Sequence, residues 1–151
     1  MNLLKILFLV CFFVAMGSGA VWAGTAMGIA DLEQYQWRNR LLLLFVPSTE
    51  NRAFQSLSGE LERNLDGVRE RDLLVFRVLA QGSSLLGSEK ISPKKAEVLR
   101  RRFGISSVAF AVVLVGKDGG VKLKRLSPVA LSDIFGLIDS MPMRRREMQS
   151  K

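Results

Sequence analysis

Beyond an apolar N-terminal segment, apolar residues alternate between short continuous runs and stretches repeating every three or four positions. Arg40 opens the run Leu41-Leu42-Leu43-Leu44-Phe45-Val46, closed by Pro47. A short apolar run without alternation, ended by proline, predicts a strand buried on both faces. Ser48 to Asn51 is a polar turn able to cap the next element. From there Phe54, Leu57, Leu61, Leu65 and Val68 fall three or four apart, with charges between them. That is one amphipathic helix with a single buried stripe. Leu73 to Leu79 reads as a second buried strand, and Gly82 to Ser88 as a flexible loop.

Ser92-Pro93 starts the next helix, with a capping hydroxyl followed by proline at the first helical position. Ala96, Leu99 and Phe103 form its apolar face, and Gly104 suits its C-cap. Val108 to Val115 is a third strand. Lys117-Asp118-Gly119-Gly120 is a hairpin turn, returning through the short strand Val121 to Lys124. Ser127-Pro128 repeats the capped start, and Leu131, Ile134, Phe135 and Ile138 form the inner face of a last helix that Pro142 stops. Asp31 to Asn39 is a short helix or turn packing its aromatics, Tyr35 and Trp37, on the domain. The order strand–helix–strand–helix–strand–strand–helix predicts parallel first strands joined by a right-handed crossover, then an antiparallel hairpin. The result is an α/β three-layer sandwich of about four mixed strands with helices on both faces.

The N-terminal segment has a different character. Lys5 is the one charge before the apolar stretch Ile6 to Ala15; Gly17, Ser18, Gly19 and Ala20 break it, and Val21-Trp22-Ala23 places small residues where signal peptidase reads them. This predicts a signal peptide over residues 1–23, cleaved after Ala23, rather than a retained anchor, which needs about 20 uninterrupted apolar residues. Cys11 lies inside the apolar stretch behind Val10, so it does not mark a lipoprotein. Residues 24–30 form a flexible leader, 31–141 the domain, and 142–151 a basic, partly exposed C-terminal tail.

Removing 23 of the 151 residues leaves 128 with a net charge of +7 instead of +8, because Lys5 is the only charge removed. Cys11 is the single cysteine, and the chain has no histidine. The mature domain therefore has no thiol for disulfides, exchange or nucleophilic attack. A zinc site would need carboxylates alone, and a serine nucleophile would lack its imidazole base. No cofactor or metal is expected. An exported domain without cysteine fits a periplasmic or secreted location.

Two stretches carry a resemblance. Phe110 to Lys122, with its Gly116-Lys117-Asp118-Gly119-Gly120 turn, and Met141-Pro142-Met143-Arg144-Arg145-Arg146-Glu147-Met148 resemble a bacterial family of domains of unknown function, DUF4174. The start Leu32-Glu33-Gln34-Tyr35-Gln36-Trp37 and the Leu41 to Pro47 strand fit it too. Related domains occur in vertebrate extracellular proteins, including sushi-repeat-containing proteins and equarin. The resemblance implies a thioredoxin- or peroxiredoxin-like fold and no established activity. Redox-active thioredoxins place a reactive cysteine in the turn after the first strand and a cis-proline before the third. This chain has Pro47-Ser48-Thr49-Glu50-Asn51 and Ser107-Val108-Ala109 there, so the redox function is not carried over.

Ser48, Thr49 and Glu50 stand where this fold does its chemistry, and a helix N-terminus could bind an anion there; a plain helix cap needs the same residue types. Gly116 to Gly120 lacks the spacing of a phosphate loop and is followed by a strand, so it reads as a hairpin. Basic residues fall into three groups: Lys94, Lys95 and Arg100 to Arg102; Lys117, Lys122, Lys124 and Arg125; and Arg144, Arg145 and Arg146. They could bind an acidic polymer or an anionic membrane surface, or simply solvate the domain. Nucleic acid is not an expected partner, since no aromatic stacking platform is evident. The leading expectation is an exported, redox-inert binding or interaction module whose partner is another envelope or extracellular protein. The alternatives are a polyanion- or envelope-surface-binding protein and a thiol-free enzyme of peroxiredoxin lineage. For binding, the candidate residues are Ser48, Thr49, Glu50, Lys117, Arg144, Arg145 and Arg146; no catalytic residue is assigned.

Overall fold

A computed structural model describes residues 30–150. The segments read as signal peptide and leader fall almost wholly outside them. The elements are α1 (Ala30–Glu33), β1 (Arg40–Val46), α2 (Arg52–Arg63), α3 (Leu65–Glu70), β2 (Leu73–Leu79), β3 (Ser84–Leu86), β4 (Glu89–Ile91), α4 (Pro93–Phe103), β5 (Ala111–Val115), β6 (Val121–Arg125), α5 (Leu131–Ser140) and α6 (Pro142–Gln149).

Strand β1 is the centre of the molecule because it is apolar at every position after Arg40. Its residues from Leu42 to Val46 are fully buried. Alternate side chains go to opposite faces. Leu42, Leu44 and Val46 join α2 and α5 residues such as Leu57, Leu61, Ile134 and Ile138. Leu41, Leu43 and Phe45 join Ala96, Leu99 and Phe103 of α4. A truncation such as Leu44→Ala would cost about 2–5 kcal/mol. The strand pairs parallel with β2, Leu43 opposite Phe76, and antiparallel with β5, Leu43 opposite Val113. The parallel pair and the β5–β6 hairpin agree with the sequence pattern.

The sheet has six strands in the order β4-β3-β2-β1-β5-β6, instead of about four. The first of the extra pair, β3, lies in the Gly82 to Ser88 segment expected to be a flexible loop, and β4 follows directly after it. The Gly and Ser content of this stretch hides a short hairpin that turns at Gly87 (φ +58°). The open edge of β2 supplies the partner, and Ser84 fixes the return, its hydroxyl accepting from Leu79 N–H at 2.9 Å.

Other boundaries shift for local reasons. The predicted single helix from Phe54 breaks at Asn64, whose side-chain amide donates to Glu60 O at 2.7 Å, so α3 follows separately. Gly67 lets α3 lie on α5: a Cβ there would stand 2.9 Å from Phe135 Cε2. The third strand starts at Ala111 rather than Val108, because Ala109 N–H bonds Ser106 O in a turn that leaves Val108 exposed. Helix α5 starts at Leu131, beyond Ser127-Pro128, and Glu60 Oε2 accepts the Leu131 N–H at 3.1 Å. Tyr35 packs edge-on against Phe76 with centroids 5.9 Å apart. Trp37 does not pack: it is 63% exposed, in a left-handed turn at φ +64°. Pro142 stops α5 and also begins α6, so the segment read as a basic tail is a helix. Among the described residues no helix is long and apolar enough to cross a membrane.

Candidate functional site

The turn leaving β1 is a cap. Asn51, in extended conformation, accepts the Phe54 N–H on its side-chain oxygen at 3.0 Å and so starts α2. Gln55 Nε2 bonds Thr49 O at 3.1 Å, tying the turn down. Ser48 is half-buried, and Thr49 and Glu50 are exposed. Among the described residues their side chains make no hydrogen bond or ion pair. A hydroxyl nucleophile needs a base within hydrogen-bond reach, and neither hydroxyl has one.

Behind this turn lies a residue the sequence pattern placed in a solvated basic group. Arg100 is only 7% exposed. It follows Ala96 and Leu99 and precedes Phe103 at helical spacing, so α4 turns it inward with its apolar stripe. That spacing was the available signal; the charge concealed it. Its Nη2 donates to Val46 O at 2.6 Å and Val78 O at 2.9 Å, and its Nη1 to Ser106 O at 2.7 Å. The guanidinium thus joins the ends of β1 and β2 to the loop before β5. It also lies 5.7 Å from the Phe45 ring centroid. Its Nε is sealed and has no acceptor. No carboxylate pairs with it among the described residues. Burial pushes the group below its ordinary guanidinium value.

A cavity of about 650 Å³ opens beside Arg100, between the β3–β4 hairpin, the N-terminal turn of α4 and Ser107. Its wall is mainly apolar, including Leu79, Ile91 and Ala96.

The other expected binding residues are at the opposite end of β1, about 20 Å away at ~3.3 Å per residue. There Lys117 and Arg144 are consumed by the fold. Lys117 Nζ bonds Asp72 at 2.8 Å and Glu147 at 2.7 Å. Arg144, expected in a partly exposed tail, is 1% exposed and bonds Asp139 at 3.1 Å and Glu70 at 2.7 Å. Arg40, also 1% exposed, grips Glu147, and Arg71 grips Asp139 at 2.6 Å while covering the Phe135 ring. Four cations thus face the four carboxylates Glu70, Asp72, Asp139 and Glu147, and the cluster is neutral. Only Arg145 and Arg146 of the triplet are exposed, with no ion pair among the described residues.

Burial by itself would raise the Glu147 carboxyl, but hydrogen bonds from Arg40 and Lys117 outweigh it and hold the group below the usual range. Asp139 is likewise held low against burial by Arg71 and Arg144. Burial opposes the charge on Lys117, yet Asp72 and Glu147 hold its ammonium above the ordinary value.

The glycine-rich turn closes on itself. Gly116 N–H bonds Gly120 O at 2.8 Å, Gly119 N–H bonds Gly116 O, and Gly120 N–H bonds the Asp118 carboxylate. It is a hairpin whose three glycine amides are all bonded within the turn. Among the described residues no three His, Cys, Asp or Glu side chains are grouped to hold a metal ion.

Residues 31–147 match the family described as Domain of unknown function (DUF4174). A coiled-coil domain-containing protein of Danio rerio is 32% identical over 133 residues, covering 78% of this chain and 15% of that protein. A sushi repeat-containing protein of Rattus norvegicus is 29% identical over 147 residues, covering 87% of this chain and 32% of that protein. The chain thus spans less than a third of the length of either relative. Among solved structures, a reduced 2-Cys peroxiredoxin of Plasmodium vivax superposes with a TM-score of 0.56 at 15% identity, over 76% of this chain and 72% of that one. That similarity establishes a thioredoxin-like fold.

Proposed function

The chain belongs to the family described as Domain of unknown function (DUF4174), and from that premise we propose that its folded part is an exported, redox-inert thioredoxin-like binding or interaction module. The observation that carries the reading is the turn after β1. Where this fold otherwise presents a reactive thiol, the chain has a helix cap with two unactivated hydroxyls. Residues 30–150 contain no cysteine and no histidine, so neither thiol exchange nor an imidazole base is available to them. The relatives support a modular role, since each carries the matching stretch as a small part of a longer chain. The sushi-repeat relatives and the signal-like residues 1–23 support export to a periplasmic or secreted location. Another envelope or extracellular protein is the partner this reading calls for.

The test has two parts. The purified protein should neither reduce insulin disulfides nor consume hydrogen peroxide. Immobilised, it should retain one protein of its own compartment at near-equal stoichiometry through high salt. Peroxide turnover that Thr49→Ala abolishes would replace the reading with a thiol-free enzyme.

A second reading, binding to an acidic polymer or anionic surface, is favoured by one observation. Arg145 and Arg146 are adjacent and exposed on α6 without ion-pair partners among the described residues. Lys117 and Arg144 do not contribute to it, because the ion cluster neutralises them.

A further inference from the structure

We propose that the cavity beside Arg100 is a binding site for an apolar group ending in a carboxylate. Three observations converge on it.

The first is charge. A buried cation is ordinarily matched by an anion, because moving it out of water costs several kcal/mol. Each buried arginine at the other end of the sheet has carboxylate partners: Arg40 has Glu147, and Arg144 has Asp139 and Glu70. Arg100 has three carbonyl oxygens and, among the described residues, no counter-charge. Its Nε–H lacks an acceptor among the described residues, but so do those of Arg40 and Arg71, so the missing counter-charge is what sets Arg100 apart.

The second is shape. The cavity volume of about 650 Å³ lies within the range of small-ligand sites, roughly 300–1,000 Å³. Leu79, Ile91 and Ala96 provide an apolar wall for a hydrocarbon body.

The third is the rim. Lys90 and Ser107 are exposed residues of the lining, and Lys90 adds a second positive charge. The one carboxylate on the lining, Glu97, is within 3.9 Å of Arg101. An anion entering here is drawn by two cations, one of them in a low-dielectric wall where its field is least screened. A neutral apolar ligand would gain only the burial, and a cationic one would be repelled.

A free amphiphilic carboxylate and the C-terminus of a peptide ending in leucine share this chemistry, and the experiment separates them. The inference rests on reading the domain as a binding module, but its test does not use the captured partner. Amide chemical shifts of the isotope-labelled protein are followed while sodium octanoate, octanol, a peptide ending in Leu-Leu with a free carboxylate, and the same peptide amidated are titrated in turn. We expect octanoate or the free-acid peptide to move the amides of Ser83, Glu97 and Ser107, and octanol and the amidated peptide to bind at least about tenfold more weakly, as loss of a charge-assisted contact implies. Tighter binding of octanoate identifies a small amphiphile; tighter binding of the peptide identifies a chain terminus. Arg100→Met should abolish the preference for the carboxylate. Because Arg100 also joins three segments, Ser107→Trp serves as the second variant: it fills the mouth from an exposed position and should block binding while leaving thermal unfolding unchanged. Equal binding of octanoate and octanol, or no shift at these amides with any probe, overturns the proposal. Failure of the capture experiment with octanoate still bound would instead refute the protein-partner reading alone.

Discussion

Arg40 and Glu147, 107 positions apart, meet through two hydrogen bonds, 3.1 Å from Nη1 to Oε2 and 3.2 Å from Nη2 to Oε1. The pair fastens the first residue of the central strand to the last helix. Glu147 also accepts from Lys117 at 2.7 Å, so removing its carboxylate strands the fully buried Arg40 and leaves Lys117 with Asp72 alone. Glu147→Ala should therefore destabilise the protein by about 3–5 kcal/mol, the usual cost of breaking a buried pair from one side. Urea unfolding of the two proteins measures this. A loss under 1 kcal/mol would show that the cluster is as weak as a surface pair.

The same cluster sets the pH dependence. Glu147 and Asp139 are held below their unfolded values, about 4.3 and 3.9. A depressed carboxyl means that, as pH falls through this range, the unfolded chain takes up protons first, so stability is lost on acidification. Stability should be level from pH 7 to about 5, then fall below about 4, with a shallower fall in Glu147→Gln. Lys117 is shifted upward, so its contribution is full below about 10.4 and is lost as pH rises through its folded value. Urea midpoints across pH test both limbs; an acid limb unchanged in Glu147→Gln would count against the assignment.

Helix α5 begins without a capping side chain of its own, and the Glu60 carboxylate of α2 accepts the Leu131 N–H instead. Glu60→Ala should cost about 1–2 kcal/mol, as loss of a charged cap does. It should also speed hydrogen exchange in the first turn of α5. Unaltered exchange there would mean that water serves the amide equally well.

The arginine triplet should split by variant. Arg144→Gln removes a buried guanidinium that bonds Asp139 and both the carbonyl and the carboxylate of Glu70. It should cost about 3 kcal/mol or more. The double change Arg145→Gln and Arg146→Gln touches only exposed positions and should stay within about 0.5 kcal/mol of the parent. If the second reading of the function holds, the double variant alone should elute from heparin at lower salt while melting like the parent. Equal elution would remove α6 from that reading.

Sequence and tertiary structure determined different parts of this protein. The run from Leu41 to Val46 was legible as a doubly buried strand because every position after Arg40 is apolar, so either face demands cover. The helices at Asn51 and Ser92 were legible because capping is local chemistry, complete within four residues. The hairpin at Gly116 to Gly120 was legible for the same reason. Absence of cysteine and histidine from residues 30–150 also needed only the sequence, and it bounds the chemistry whatever the fold.

Tertiary structure decided the fate of the charges. Nothing near Arg144 in the chain distinguishes it from Arg145 and Arg146; only its distant partner Glu70 and the neighbouring helix end at Asp139 make it a core residue. Nothing near Ser84 marks a strand until the edge of β2 offers it hydrogen bonds. Arg100 occupies an apolar stripe that the pattern did predict, but its acceptors, Val46 O and Val78 O, come from strands 54 and 22 positions away. A side chain's burial is set by what the rest of the chain brings to it, and for a charged group that means partners of high sequence separation. Local pattern carries the periodicity of an element, while the neutralisation or isolation of its charges exists only once the layers are stacked.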